Sequence, residues 1–158
     1  MANLILAAVG VTDIAATVGA TVGTQIIGQS VSMSMSGITS GIKYLFSPKK
    51  YDIKEVNDIR KLLRRLDIVA DIEVVKTYLA NLKTDSPAVL VAWTNLNEVM
   101  EQIYLQIEQI NKKVDFVENS SRAKVWWKGY PNFKYHCEEI QELSELFNRR
   151  FDLLKKIL

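Results

Sequence analysis

At 158 residues the chain has room for one hydrophobic core and not for two full domains. With 48% hydrophobic and 24% charged residues it carries enough apolar area to fold, which speaks against intrinsic disorder. A net charge of +2 and a single cysteine exclude an intramolecular disulfide framework and argue against the basic surface that nucleic-acid binding needs.

Charge divides the chain near residue 43. From Met1 to Ile42 Asp13 is the sole charged side chain, while all 20 Lys and Arg and the remaining 17 of the 18 acidic residues follow. Small residues recur at helical spacing in this first part: Ala15, Gly19 and Gly23, then Gly37 and Gly41. Such a ridge, a glycine zipper in form, lets a second helix approach closely in lipid or in protein. Residues 14–42 are long enough to cross a bilayer, but 11 of those 29 are Ser, Thr or Gln, whereas committed spans are rich in Leu, Ile, Val and Phe. Burial as a protein hairpin and contact with a membrane both remain open. The alternation Ser30-Val31-Ser32-Met33-Ser34-Met35-Ser36 has period two and predicts a helix break or a short extended piece. No Lys or Arg precedes the first apolar stretch, so a secretory signal peptide is not expected. With one cysteine, a reducing, intracellular setting is the default expectation, with a virion-associated or membrane-proximal one as the alternative.

Beyond Pro48 the pattern turns amphipathic. Ile59, Leu62, Leu66, Val69, Ile72, Val75, Leu79 and Leu82 fall three and four apart and predict one long helix ending near Lys83. Ser86-Pro87 supplies a helix start, with Ser86 at the N-cap and proline in the first turn. The next helix has the most regular seam: Val89, Trp93, Leu96, Met100, Ile103, Ile107, Ile110, Val114 and Val117. A stripe of that length requires a partner helix, so Trp93, Met100, Ile103, Ile107 and Ile110 are expected to be buried. A last helix after Pro131 gathers Ile140, Leu143, Phe147, Phe151, Leu154 and Leu158 on one side. The expected fold is all-α: three long amphipathic helices form a bundle over residues 47–158, preceded by the uncharged helical segment 1–46.

Reactive groups are sparse. His136 and Cys137 are adjacent, and neighbouring helix residues point about 100° apart, so they do not face each other as base and nucleophile. One Cys and one His supply half a tetrahedral metal site, and no phosphate-cradling loop is present. No catalytic residue, cofactor or metal is therefore expected. Two binding features stand out. Arg60, Lys61, Arg64 and Arg65 form pairs four apart that could hold lipid phosphates or an acidic partner, or could be a solvated face with helical ion pairs. The linker with Trp126, Trp127 and Tyr130 mixes aromatic and basic residues, as a membrane interface does. Folding these rings over the open end of the bundle is the commoner use of such area and is the role expected here.

In outline the chain resembles the HeLo and HeLo-like helical bundles and the N-terminal four-helix domain of mixed-lineage-kinase-like proteins. The likeness is carried by Val18-Gly19-Ala20-Thr21-Val22-Gly23, by Asp58-Ile59-Arg60-Lys61-Leu62-Leu63-Arg64-Arg65-Leu66, by Trp126-Trp127 and by Glu139-Ile140-Gln141-Glu142-Leu143. What it implies is a module that oligomerises and disturbs membranes through its N-terminal helix. The expected function is a non-enzymatic bundle that associates with a membrane or self-assembles, with other protein subunits and membrane lipid as partners. The alternative is a structural subunit of a larger assembly, such as a minor capsid component of a membrane-containing virus particle.

Overall fold

The computed structural model describes residues 33–50, 53–81 and 86–158. Among these residues there are helices and no strand, which places the chain in the all-α class. Helix α1 covers 33–46, followed by α2 (Lys54–Leu66), α3 (Ile68–Asn81), α4 (Pro87–Asn119), α5 (Arg122–Lys128) and α6 (Lys134–Ile157). Their directions follow from cross-contacts. Gly37 lies against Tyr104, Gly41 against Ile107, and Tyr44 Oη is 3.5 Å from Asp115 Oδ1, so α1 runs parallel to α4. His136 meets Gln106 and Lys113 while Arg150 meets Glu98, so α6 returns antiparallel to α4. Arg65 reaches Gln141 and the Tyr78 ring meets Phe151 edge-on at 5.4 Å, which lays α2 and α3 along α6. The result is an up-down-up-down bundle with α5 crossing one end.

The central helix α4 is 33 residues long because nothing after its first turn stops it. Pro87 sits where a missing N–H costs nothing, and neither Gly nor Pro recurs before the chain leaves the helix at Ser120. All nine seam positions are at most 3% exposed, with Trp93, Met100, Ile103, Ile107 and Ile110 at 0–1%. Against them α6 buries Ile140, Leu143, Phe147, Phe151 and Leu154, while Leu158, expected on the same side, is exposed.

Three expectations require correction. The long helix over 59–82 is two helices of 13 and 14 residues, because Asp67 adopts a left-handed backbone (φ 50°). Aspartate tolerates that region better than most residues, and its N–H still bonds Leu63 O at 3.2 Å. The interruption shifts the phase of the apolar stripe. Leu63 and Ile68, five apart, are buried, and Leu62, Leu66 and Val69 are only half-buried. Leu79 and Leu82 lie outside the described side chains.

The Ser/Met alternation does not break the helix over 33–36: α1 runs through it, with Ser34 and Met35 buried and Met33 exposed. Adjacent burial of Ser34 and Met35 places both on the packed side, and the helical continuation at Ile38, Ile42 and Leu45 outweighs a local period-two pattern.

The boundary at residue 46 also moves. Met35, Ile38, Ile42 and Leu45 belong to the same core as α4 and α6, so residues 33–46 are part of the bundle. Ala15, Gly19 and Gly23 lie outside the described residues. Gly37 and Gly41 show what the small-residue spacing does in its second half. A Cβ at Gly41 would stand 2.5 Å from Ile107 Cγ2 and 3.1 Å from Asn111 Nδ2; one at Gly37 would stand 2.5 Å from the Tyr104 ring. Asn111 also donates to Gly41 O at 3.2 Å. Ile107 is locked in the core, whereas the half-buried Tyr104 ring can swing outward. Gly41→Ala should therefore lose about 1–2 kcal/mol despite alanine's better helix propensity, and Gly37→Ala should be near neutral. Urea melts of the two variants check this ordering; equal stability would show that α1 shifts freely on α4.

Candidate functional site

The end of the bundle where α4 stops is assembled from short-range rules. Asn119-Ser120-Ser121 leaves α4, and the Ser121 hydroxyl accepts from Lys124 N at 3.3 Å, capping α5. Val125 is the one α5 side chain in the core, at 3% exposed. At about 100° per residue this anchor decides where the others point. Ala123 and Trp127 fall on the side opposite Val125, Trp126 lies on one flank with Arg122, and Lys124 and Lys128 lie on the other. Both lysine ammonium groups stand 5.8 Å from the Phe116 ring of α4, and both side chains remain exposed to solvent. Gly129 then turns the chain with φ 81°; no atom lies within 4 Å of a Cβ there, so glycine serves the backbone angle. Phe133, 4% exposed, brings the chain back into the core at the start of α6.

Trp126 and Trp127 are therefore not a lid over the bundle. They are 80% and 84% exposed, with Tyr130 at 67% and Tyr135 at 60%. The capping role expected for these rings falls to Val125 and Phe133, smaller side chains at the positions that the helix phase turns inward. Along the chain the charge here is of one sign: residues 119–137 contain Arg122, Lys124, Lys128 and Lys134 and no Asp or Glu, although Glu55 and Asp58 of α2 come beside Tyr130. Lys124 and Lys128 belong to the aromatic and basic linker read from the sequence; Lys134, beyond it, pairs with Glu138 at 3.7 Å. A cleft of about 460 Å³ opens between α5 and the start of α2, lined by the apolar Ile53, Val117 and Val125 and by Lys54, Glu55, Arg122 and Tyr130.

No family model, curated protein or solved structure matches the chain.

The basic quartet on α2 is not gathered into one site. Arg60 donates through Nε to Leu45 O (2.6 Å), through Nη2 to Ser47 O (2.9 Å) and through Nη1 to Asn57 Oδ1 (3.0 Å). It thus satisfies carbonyls left open at the end of α1, a structural duty. Arg64 lies over the Phe46 ring at 5.0 Å, Arg65 reaches Gln141 at 3.3 Å, and Lys61 pairs with Asp58 at 3.6 Å in solvent. The solvated, ion-paired alternative describes Lys61, and only that residue of the four.

His136 and Cys137 separate as adjacent helix residues must. The buried imidazole turns to α4, where Lys113 Nζ is 2.8 Å from Nε2 and Gln106 Oε1 is 2.7 Å from Nδ1. An ammonium can only donate, so Nε2 accepts, and the proton sits on Nδ1 and goes to Gln106. Burial, then the Lys113 charge, hold the histidine below its ordinary value of 6.5, with Glu139 opposing them. The folded chain thus binds fewer protons here than the unfolded one, and the contribution to stability is complete above 6.5 and is lost as pH falls below it. Cys137 faces the other way, beside Asp58 and Glu138; burial and then those carboxylates raise its pKa and keep the thiol protonated. A thiol held protonated and an imidazole with both nitrogens engaged do not make a nucleophile pair. Among the described residues no group of three His, Cys, Asp or Glu could hold a metal ion, and no helix is long and apolar enough to cross a membrane.

Proposed function

We propose that this protein is a non-enzymatic helical bundle that attaches peripherally to a membrane surface through α5. The observation that carries the reading is the pair Trp126 and Trp127, 80% and 84% exposed and presented by a short helix whose flank holds Lys124 and Lys128. Exposed neighbouring tryptophans are costly in water unless something covers them. Indole rings among headgroups with lysines reaching phosphate is the arrangement interfacial segments use. Each ring offers about 150–250 Å² of contact, and each nearby cation is worth about 1 kcal/mol at an anionic surface. Together these terms suffice for reversible attachment without a spanning helix. Assembly through the N-terminal segment, the other part of the expected function, draws less support, because Gly37 and Gly41 are already occupied by α4.

Vesicles of phosphatidylcholine with phosphatidylserine should sediment the full chain and blue-shift its tryptophan emission. Trp93 is 1% exposed already, so the shift reports Trp126 and Trp127. Replacing both by serine should weaken binding by about tenfold or more, and replacing Lys124 and Lys128 by glutamine should remove the preference for anionic over neutral vesicles. Absence of sedimentation and of any emission shift would rule the reading out.

A further inference from the structure

The aromatic end of the bundle is tied to the buried histidine by a chain of contacts. Lys113, on α4, points one donor at His136 Nε2 (2.8 Å) and another at the backbone oxygen of Asn132 (3.0 Å). Asn132 lies in the link between Gly129, where α5 ends, and Phe133, where α6 begins, and its Oδ1 accepts from Lys134 N at 2.8 Å. One ammonium thus ties the returning half of the α5 loop to α4 ahead of the buried Phe133 side chain, and it is held in place by an unprotonated imidazole nitrogen.

We infer that this is an acid-operated latch: protonation of His136 displaces Lys113, releases Asn132, and loosens the link that follows α5, while Val125 keeps α5 itself seated in the core. The inference rests on the membrane-attachment reading for its consequence, since α5 carries the rings proposed to enter the lipid interface. The chemistry follows from proton bookkeeping at Nε2. Once protonated, Nε2 has a hydrogen where it had a lone pair, so it can no longer accept from the ammonium, and two cations would stand 2.8 Å apart in a partly dry site. The groups facing His136 do little to offset that charge. From α4 come Lys113, itself a cation, and Gln106, a neutral acceptor already bonded to Nδ1; from α6 come the edge of the Tyr135 ring and the carboxylate of Glu139, the one compensating charge. Lys113 has the longer and more flexible side chain and an open route to solvent, being only half-buried, so it is the group that moves. The lowered pKa of His136 places the change below its ordinary value of 6.5.

The test uses hydrogen exchange on the full chain without vesicles, at about pH 7.5 and at a series of lower pH values down through the His136 titration followed by NMR on the same protein, with rates corrected for the intrinsic pH dependence of exchange. Residues 129–133 should exchange about tenfold faster below that titration in the parent protein, and the core of α4 around Ile107 should not. His136→Gln should show no such difference. Should that variant fold poorly, Lys113→Met, which lacks the displaced cation, should exchange fast in the link at every pH of the series. A parent whose link exchange is unchanged by acid, or a His136→Gln protein that responds as the parent does, would overturn the latch. Binding to phosphatidylcholine–phosphatidylserine vesicles, measured in parallel, should be stronger below the titration in the parent only. Loss of vesicle binding at every pH, with the exchange response intact, would overturn the attachment reading and leave the latch standing.

Discussion

Replacing Ile107 with aspartate should abolish cooperative folding of the whole chain. Ile107 is 1% exposed, it lies midway along α4, and its Cγ2 occupies the space that glycine at position 41 leaves open. The substitution removes a buried aliphatic side chain and puts a carboxylate in the apolar seam, where the neighbouring Asn111 amide already donates to Gly41 O. Loss of packing and the cost of the unpaired charge together come to about 3–5 kcal/mol or more. That is a large share of the roughly 5–15 kcal/mol by which domains of this size are stable. Ile107→Val, which keeps the site apolar, should cost about 0.5–1.5 kcal/mol. Thermal melts followed by circular dichroism separate the two. An aspartate variant that melts like the parent would show that α4 can rotate its seam into solvent.

Removing residues 1–46 should leave a molten product. The charge boundary near residue 43 predicts the opposite, a self-sufficient bundle over 47–158, and here packing overrides composition. Met35, Ile38, Ile42 and Leu45 are 0–6% exposed in the common core, and each buried side chain of this kind contributes about 1.5–3 kcal/mol. Four of them approach the total stability of a domain. Deletion also strips Arg60 of the Leu45 oxygen that it bonds. Far-ultraviolet dichroism should retain helix, since α4 and α6 still pair. The near-ultraviolet signal of Trp93 should collapse and hydrophobic dye should bind. A truncated chain with a cooperative melt and native near-ultraviolet signal would show that α4, α6 and α2–α3 suffice.

The elements with strong periodicity were legible at nearly every position, Leu158 at the end of α6 being the exception. The α4 seam and the inward side of α6 follow from spacing alone, because a helix that buries one face must repeat apolar residues every three or four positions. Weakly periodic elements were not. A single left-handed residue at Asp67 splits the helix predicted over 59–82, and no local signal distinguishes Asp67 from a solvated aspartate in an unbroken helix. The aromatic linker was legible as a binding feature, but its orientation was not. Composition cannot say whether Trp126 or Val125 turns inward, since that depends on where the Ser121 cap starts the helix.

By itself the sequence determined the all-α class, the register of α4 and α6, the separation of His136 from Cys137, and the aromatic and basic linker. Each depends on residues close together in the chain, where helix geometry converts spacing into direction. Tertiary structure alone decided that α1 is a core helix, that Arg60 serves the end of α1, and that Lys113 couples His136 to Asn132. Those pairings join residues 15 to 70 or so positions apart, and which side chains meet across such distances is set by how the helices pack, a property that no local pattern encodes.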